Sequence, residues 1–238
     1  MVHKMKYEGE DRIGFYTCKE YSIYFLADGH GNDEHGKNDY VASYLKNNFI
    51  HYFKPYYSGN QDVTKSLRQS INEIDKNLQH TNDGSTLTGF ILKDADIIVF
   101  NVGDSRVYAI DKDNKIIQLT EDHNLQCKKE IKRLSKDFGI HKKYYDKRLN
   151  GLSMSRSIGD NDVRGRISSP DIQKYSVNEF KYIILASDGL YNCFTNINIL
   201  KDFIMNNTSI TKSVDDIISY AKNNDSTQDD KSILIKRL

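Results

Sequence analysis

Two Asp-Gly pairs stand at the ends of apolar stretches that have the composition of buried strands. Asp28-Gly29 follows residues 23–27, and Asp188-Gly189 closely follows residues 182–186. Asp-Gly is also typical of a hairpin turn, but here each pair is followed by a segment that leads into a helical pattern. Mg²⁺ and Mn²⁺ take oxygen ligands, and a rigid strand end fixes a carboxylate well. The two pairs are therefore candidate metal ligands.

Further carboxylates lie beside other predicted strands or turns, namely Glu10-Asp11, Asp122 and Asp229-Asp230. Taken singly, each is most often a solvated turn residue, because Asp side chains satisfy the backbone of turns. Several carboxylates at one sheet edge would repel one another unless a divalent cation lay between them. The residues alone leave both interpretations open, isolated turn residues or one metal-binding edge.

Composition excludes several functional classes. The chain has 238 residues, 38% of them hydrophobic, which suffices for one large domain or two small ones. The formal net charge of +1 gives no electrostatic reason to expect nucleic acid or a membrane surface as a partner. The three cysteines are widely separated and have no zinc spacing, so reduced thiols in a cytosolic-type compartment are expected.

The chain lacks the sequence features of export and of membrane insertion. Residues 1–6 have no apolar core of a signal peptide, and no stretch approaches the roughly 20 apolar residues of a membrane helix. We therefore expect a cytoplasmic protein, with a nuclear location as the alternative. A monomer is expected.

Apolar residues recur at three- and four-residue spacing in several segments, which predicts helices. Asp62 is a suitable N-cap for one of them, and Pro55 is expected just beyond the end of another. Residues 139–170 are irregular and basic, and a surface flap is predicted near residues 125–170. The predicted helices span residues 38–53, 62–79, 125–138, 196–206 and 212–222.

Short apolar runs joined by tight polar turns predict β-strands. Strands on such turns must be antiparallel, because a parallel crossover needs about a dozen residues. Strands and helices come in groups, which indicates an α+β protein with helix, sheet, sheet and helix layers. The predicted strands span residues 13–18, 22–27, 86–92, 96–102, 106–110, 115–119, 172–177, 182–186 and 232–235.

Eight short segments match the motifs of one enzyme family, in that family's order and at similar spacing. They are residues 10–12, 27–31, 84–86, 101–106, 119–123, 152–160, 185–189 and 228–232. On these segments the chain resembles the metal-dependent serine/threonine protein phosphatases of type 2C. The resemblance implies a four-layer α-β-β-α sandwich of two antiparallel sheets flanked by helix pairs. It also implies that residues 1–238 form a single phosphatase catalytic domain, with the metal site at one end of the sandwich.

The resemblance also implies a two-metal site. Asp28 would bridge two Mn²⁺ or Mg²⁺ ions, and the Gly29 carbonyl would bind one of them. Asp188 and Asp229 would bind the other. A water activated by both ions would then attack phosphorus in line, with no phosphoenzyme, as two-metal sites permit.

Other residues receive supporting roles from the same resemblance. Glu10 and Asp11 would hold metal-bound waters, or they would contact the metal ligands without binding the ions themselves. Asp122, together with Asp188, would offer a weaker third metal site. His30 would protonate the leaving seryl or threonyl oxygen as a general acid. A lone histidine is more often structural, but its position two residues after the proposed bridging ligand favours the chemical role.

Three positions depart from the family pattern. Lys6 stands where the family has an arginine that grips the substrate phosphate, and a lysine is a point charge without the bidentate fork. Tyr191-Asn192 replaces the usual Trp-Asp, and the missing carboxylate weakens the case for the third metal. Asp229-Asp230 replaces the usual Asp-Asn and adds negative charge beside a ligand.

Three remaining segments have structural interpretations. Gly103-Asp104 is predicted to form a strand-end turn that shapes the sheet. Arg156 and Asp160 are predicted to form a structural ion pair. The Lys-rich residues 128–148 are expected to be a solvated helix face, with the alternative that they receive acidic or phosphorylated substrates.

The sequence therefore predicts a Mn²⁺- or Mg²⁺-dependent phosphatase that acts on phosphoserine and phosphothreonine in proteins. The first alternative is a catalytically weak or inactive member of the same fold that binds phosphoproteins. A second alternative, another two-metal hydrolase such as a nuclease, is disfavoured by the near-neutral charge. The sequence does not name the physiological substrate, whose recognition we expect in loops near residues 125–170.

Overall fold

The computed structural model describes residues 3–6, 9–31, 39–141, 148–225 and 228–238. In this part of the chain, strands and helices fall in groups, as the sequence predicts. The strands are β1 (His3–Lys6), β2 (Arg12–Thr17), β3 (Ser22–Ala27), β4 (Gly29–His30), β5 (Gly84–Ser85), β6 (Leu87–Lys93), β7 (Asp96–Val102), β8 (Arg106–Asp111), β9 (Ile116–Gln118), β10 (Ile158–Gly159), β11 (Asp171–Ser176), β12 (Phe180–Ala186) and β13 (Ile233–Arg237). The helices are α1 (Tyr40–Asn60), α2 (Val63–Asn77), α3 (Lys128–Phe138), α4 (Asp188–Tyr191), α5 (Asn198–Asn206) and α6 (Ile210–Asn223).

The strands form two five-stranded antiparallel sheets and one small sheet. The first sheet has the order β11-β7-β6-β3-β2, and the second has the order β1-β13-β12-β8-β9. The small sheet, β10-β5-β4, lies beyond the end of β3. Because consecutive strands such as β6 and β7 pair across short turns, the antiparallel arrangement predicted from the sequence is confirmed.

Alternating side chains separate three apolar layers. In β3, Phe25 packs against α1 and α2, whereas Leu26 faces the space between the two sheets. In β12, Ile184 packs against α5 and α6, whereas Leu185 faces the same inter-sheet core. Strand side chains alternate between the faces of a sheet, so both sheets have two buried faces. The result is the α+β sandwich with helix, sheet, sheet and helix layers that the sequence predicts.

Helix α1 is longer than predicted. The prediction that it ends before Pro55 is wrong, because the helix continues through Pro55 to Asn60. A proline inside a helix removes one backbone hydrogen bond and costs about 3 kcal/mol. Phe53 and Tyr57 flank the proline and are buried, and their rings lie 5.6 and 4.9 Å from that of Tyr21. This aromatic packing offsets the cost of the proline.

The next helix starts where the sequence places it. Asp62 caps α2, and its side chain accepts a hydrogen bond from the backbone N–H of Lys65 at 3.0 Å. Helix α3 begins at Lys128, three residues later than predicted. Within the described ranges, no helix combines the length and apolarity that are needed to cross a bilayer.

Helix α3 and the segment that follows it form a satellite of the sandwich with a small core of their own. Leu134 packs with Leu149 in this core. Glu130 is 1% exposed and makes ion pairs with Arg133 and Arg156, at 2.8 and 2.6 Å. This buried charge network anchors the region predicted to be a flap. The middle of that region, residues 142–147, lies outside the described residues.

Arg156 has a different partner from the predicted one. Its guanidinium binds Glu130 and also Asp171, at 2.8 Å. The predicted ion pair between Arg156 and Asp160 is therefore wrong. The two residues are four apart, but the chain between them passes through the short strand β10, so their side chains are directed to different partners.

Candidate metal centre

Strand pairing brings distant acidic positions to one end of the sandwich. Arg12 of β2 lies opposite Ala27 of β3, so Asp11 and Asp28 follow side by side just past that pair. The second sheet repeats the arrangement, because Ala186 lies opposite Ile233 and the Ser187 N–H donates to the Ser232 carbonyl at 3.1 Å. Asp188 therefore begins α4 beside the residues that precede β13.

Asp28 lies at the centre of the acidic cluster. Burial raises the pKa of its carboxyl well above the ordinary value, and the charges of Asp11, Asp188, Asp104 and Asp229 raise it further, in that order. These four residues come from four separate segments of the chain. The acidic residues at the two sheet ends thus converge on one carboxylate.

Asp11 is 1% exposed, and neither of its carboxylate oxygens accepts a hydrogen bond of normal geometry. Burial raises the pKa of Asp11 to about 7, while the neighbouring hydroxyls of Ser232 and Ser187 lower it in part. A buried carboxylate without partners is costly. Its oxygens are therefore suited to a cation or to a bound water.

Asp188 and Asp229 face each other from the two sides of the second sheet's end. Burial raises the pKa of Asp188, and the charge of Asp229 is the next largest cause. The close approach depends on Gly189, because a Cβ there would lie 2.2 Å from the Asp230 carbonyl oxygen and 2.9 Å from the Asp229 Cβ. This glycine lets the segment before β13 pack directly on the start of α4.

Asp104 also belongs to the cluster, and the sequence reasoning missed it. It lies in the turn between β7 and β8, as predicted, but it is 5% exposed and its Oδ1 has no hydrogen-bond partner. Burial raises its pKa to about 7, followed by the charges of Asp188 and Asp122. A signal was present in the sequence, because Asp104 follows an apolar strand, residues 96–102, as the two Asp-Gly pairs do.

Asp122 lies at the margin of the cluster. Its carboxylate accepts two hydrogen bonds from Arg106, at 2.9 and 2.7 Å, and one from Gln118 at 3.1 Å. The Arg106 guanidinium stacks 3.7 Å above the centre of the Tyr191 ring. Tyr191 thus positions the arginine that neutralises Asp122.

Glu10 and Lys6 lie in or beside the strand β1 and its connection to β2. The backbone N–H of Glu10 donates to Asp230 Oδ2 at 2.6 Å, which ties this segment to the cluster. The Lys6 side chain is 46% exposed, and its Nζ lies 3.9 Å from Asp215 on helix α6. Lys6 is therefore directed toward α6 in this structure.

His30 forms a pair with Asp160. The His30 Nε2 lies 2.8 Å from Asp160 Oδ2, and Asp160 also accepts a hydrogen bond from Ser157. Burial lowers the pKa of His30, but the hydrogen bond and charge of Asp160 outweigh it, so the pKa is raised. Gly84 makes room for the pair, because a Cβ there would lie 2.1 Å from Asp160 Oδ2.

A groove of about 530 Å³ opens beside this pair. His30 and Asp160 line one side of it, and Arg148, Met154 and Val163 line the other. The groove therefore lies between the end of the sandwich and the region predicted to be a flap.

The carboxylates fit a hard divalent cation. Mg²⁺ and Mn²⁺ prefer carboxylate, carbonyl and water oxygens, and they keep several waters, so a few protein ligands suffice. Among the described residues, no three acidic or imidazole side chains already hold their donor atoms as around an ion. Asp28 instead lies close to the carboxyls of Asp11 and Asp188, and their charges raise its pKa. A divalent cation among these oxygens would neutralise the repulsion between them.

This arrangement defines a class of protein, a layered α+β sandwich with an acidic site at one end of its paired sheets. The sequence pattern of the family "Protein phosphatase 2C" matches residues 17–230. The chain therefore belongs to the protein phosphatase 2C family, the metal-dependent serine/threonine phosphatases. Lys6, Glu10 and Asp11 precede the matched range.

Individual relatives agree with this assignment. The chain is 32% identical over 200 residues to "Protein phosphatase 1L" of Bos taurus, which covers 76% of this chain and 55% of that protein. It is 33% identical over 185 residues to "Probable protein phosphatase 2C 56" of Oryza sativa, which covers 74% of this chain and 51% of that protein. The chain thus spans a little over half the length of these curated relatives.

Solved structures share the fold. The serine/threonine phosphatase Stp1 from Staphylococcus aureus superimposes with a TM-score of 0.73 at 19% identity, over 99% of this chain and 94% of that one. A C. elegans sex determining protein superimposes with a TM-score of 0.79 at 18% identity, over 98% of this chain and 64% of that one. At these identities the likeness extends to the fold.

Proposed function

We propose that this protein hydrolyses phosphoserine and phosphothreonine in proteins, using two divalent cations bound at the acidic cluster. The observation that carries the proposal is the convergence of four carboxylates from separate segments on a fifth, that of Asp28, whose pKa is raised well above its ordinary value. Buried oxygens of Asp11 and Asp104 in this cluster have no hydrogen-bond partner. Such a cluster is costly for a fold to maintain without a cation. Family membership favours protein phosphatase chemistry at this site.

Asp28, the Gly29 carbonyl, Asp188 and Asp229 would hold the two Mn²⁺ or Mg²⁺ ions. When bound, the ions would lower the pKa of a water that attacks phosphorus and would neutralise the phosphoryl oxygens. Asp104 supplies a further buried oxygen beside Asp188. These residues keep the ions within the rigid ends of two sheets.

A second group of carboxylates would act around these ligands. Glu10 and Asp11 would order waters at the ions, because Asp11 presents two unpartnered oxygens toward Asp28. Asp122 would bind a third cation only weakly, because its carboxylate is already neutralised by the ion pair with Arg106. Two tightly held ions and a weak third are therefore the expected stoichiometry.

His30 would supply the proton that the leaving oxygen needs. Asp160 orients the imidazole and favours its protonated form, since it accepts from Nε2 and raises the pKa. The remaining ring nitrogen, Nδ1, would then be the atom that faces the substrate. The raised pKa favours the imidazolium, which is the form that a general acid requires.

The phosphorylated protein segment would lie in the groove beside His30. Arg148 from the flap offers a positive charge there, and residues near 125–170 would contribute to substrate choice. Lys6 would approach the phosphate only after leaving Asp215, which makes its grip weaker than that of an arginine fork. We further propose that residues 1–238 act as a single catalytic domain and as a monomer.

The test is hydrolysis of a phosphothreonine peptide with Mn²⁺, with Mg²⁺ and with excess chelator. We expect metal-dependent turnover that Asp188→Asn reduces at least 100-fold in kcat. Lys6→Ala should mainly raise KM, by roughly a few fold, because in the proposed complex Lys6 would bind the substrate phosphate and take no part in the proton transfer. Turnover that persists in chelator would refute the two-metal mechanism. Metal binding and phosphopeptide binding without turnover at any metal concentration would favour the alternative, a phosphoprotein-binding module.

A further inference from the structure

A buried lysine stands directly behind the acidic cluster. Lys231 is 3% exposed, and its Nζ donates to Asp225 Oδ2 at 2.6 Å and to the backbone carbonyl of Asp229 at 2.5 Å. Buried lysines are rare and are nearly always paired. Lys231 has no part in the proposed reaction.

Lys231 links the two ends of the segment that carries Asp229. This segment joins α6 to β13, and its far end is fixed because the Gln228 N–H donates to Asp225 Oδ1 at 3.0 Å. Asp225 therefore holds the backbone through one carboxylate oxygen and the Lys231 ammonium through the other. The ammonium in turn holds the Asp229 carbonyl, so the Asp229 backbone is tied to Asp225 through Lys231.

The opposite side of the same segment is packed against the rest of the metal centre. A Cβ at Gly189 would lie only 2.2 Å from the Asp230 carbonyl oxygen, and the Asp230 carboxylate accepts a hydrogen bond from the Glu10 N–H. The backbone of Asp229 and Asp230 is thus held between the start of α4 on one side and the Lys231 ammonium on the other. Small shifts of this backbone would move the Asp229 carboxylate relative to Asp188.

Charge gives Lys231 a second effect. Three carboxylates lie close in sequence to it, those of Asp225, Asp229 and Asp230, and Asp229 in turn repels Asp188. A buried ammonium reduces that repulsion over a few ångströms, because the low-dielectric interior screens charges weakly. The Lys231 ammonium therefore favours the observed arrangement, in which Asp229 faces Asp188.

We propose that Lys231 is a positioning residue for metal binding. It fixes the Asp229 carbonyl and offsets the negative charge around it, so that the carboxylates of Asp188 and Asp229 are preorganised for one ion. The proposal rests on the proposed metal role of these two aspartates. Groups that orient metal ligands typically change metal affinity about 10- to 100-fold when they are removed.

The test compares two lysines of β13 and the turn before it. Lys231→Met removes the ammonium and keeps the length of the side chain. Lys236→Met makes the same change at another buried lysine, five residues further along the chain. Lys236 points into the inter-sheet core beside Tyr24, so this variant serves as the matched control. Mn²⁺ binding to each protein is measured by isothermal titration calorimetry, and the melting temperature is measured in chelator and in saturating Mn²⁺.

We expect Lys231→Met to weaken the binding of one Mn²⁺ at least ten-fold and to reduce the rise in melting temperature that Mn²⁺ produces. Lys236→Met should bind Mn²⁺ as the wild type does. Equal Mn²⁺ affinity of Lys231→Met and the wild type would overturn the proposal, even if the variant melts at a lower temperature. A loss confined to stability would show that Lys231 is only a structural residue.

Two further variants ensure that the experiment either supports or overturns the proposal. If Lys231→Met does not melt cooperatively, Asp225→Asn replaces it, because the amide has the same shape, keeps one oxygen for the Gln228 N–H and removes the negative charge that binds Lys231. We then expect Mn²⁺ affinity below that of the wild type, and unchanged affinity overturns the proposal. Asp188→Asn tests the underlying site: if it and the wild type bind Mn²⁺ equally, the proposed metal centre itself fails, separately from the role of Lys231.

Discussion

Lys236 provides a sharp test of the inter-sheet core. It follows Leu234 on the inward face of β13, its side chain is fully buried, and its Nζ has no hydrogen-bond partner among the described residues. The ammonium lies 5.4 Å from the centre of the Tyr24 ring. Leaving a buried donor unpaired costs about 1–3 kcal/mol or more for a charged group, and a cation–π contact returns about 0.5–2 kcal/mol.

Replacing Lys236 with methionine should therefore stabilise the protein. Met has a similar length, fills the same space and has no donor to desolvate. We expect a gain of about 1–2 kcal/mol in the free energy of unfolding, which for a chain of this size corresponds to roughly 2–8 °C in melting temperature. Lys112→Met, at an exposed turn position, is the control and should change stability by less than about 0.5 kcal/mol.

The pH dependence identifies the cause. Burial lowers the pKa of Lys236 in the folded state, while the unfolded chain has the ordinary value of about 10.4. Lys236 therefore lowers the free energy of unfolding at every pH at which the unfolded chain keeps this lysine protonated. This destabilisation disappears as pH rises through the pKa of the unfolded state. The advantage of Lys236→Met should thus be largest at neutral pH and shrink toward pH 10. Urea unfolding at several pH values would measure this, and a destabilised variant at neutral pH would refute the reasoning.

Two further predictions concern the flap anchor and the proton donor. The pKa of Glu130 is lowered to about 2: burial opposes the shift, but the hydrogen bonds from Arg156 and Arg133 outweigh it. Its contribution, up to about 3 kcal/mol, is present above pH 4.5 and is lost as pH falls toward 2. Glu130→Gln should lose stability at pH 7 and show a flatter acid-unfolding curve between pH 4.5 and about 2 by circular dichroism; a slope equal to that of the wild type would contradict this assignment. Asp160→Asn should lower kcat about ten-fold on a phosphothreonine peptide and shift its fall with pH to lower pH, because Asp160 raises the pKa of His30. Hydrolysis of p-nitrophenyl phosphate, whose leaving group needs no proton, should change much less, and equal losses on both substrates would exclude a role in proton donation.

The layers and the centre of the site could be predicted from the sequence because local chemistry agrees with the fold there. Apolar runs that end in aspartate marked the strand ends at Asp28 and Asp188, and Asp62 marked the start of α2. In each case the signal lies within a few residues of the feature. The antiparallel order also followed from turn lengths, which limit how consecutive strands can pair.

The features that could not be predicted depend on contacts between distant segments. The continuation of α1 through Pro55 depends on the ring of Tyr21, which packs against Phe53 and Tyr57 on either side of the proline. The partner of Arg156 lies on α3, 26 residues earlier in the chain. Asp104 follows an apolar strand as Asp28 and Asp188 do, but the burial that makes it part of the cluster arises only when both sheets meet at one end. Tertiary packing decides each of these cases, and the contacts that it creates cannot be derived from local sequence patterns.

Two glycines show that the site depends on vacant space as well as on charge. At Gly84 an added methyl group would meet side-chain atoms of Asp160 and His30, which can rotate away. At Gly189 it would meet the Asp230 backbone carbonyl, which cannot move without carrying Asp229 with it. The two halves of the centre therefore tolerate crowding unequally. An engineer who wished to silence this protein while keeping its surface and charge intact would begin with a single methyl group at Gly189.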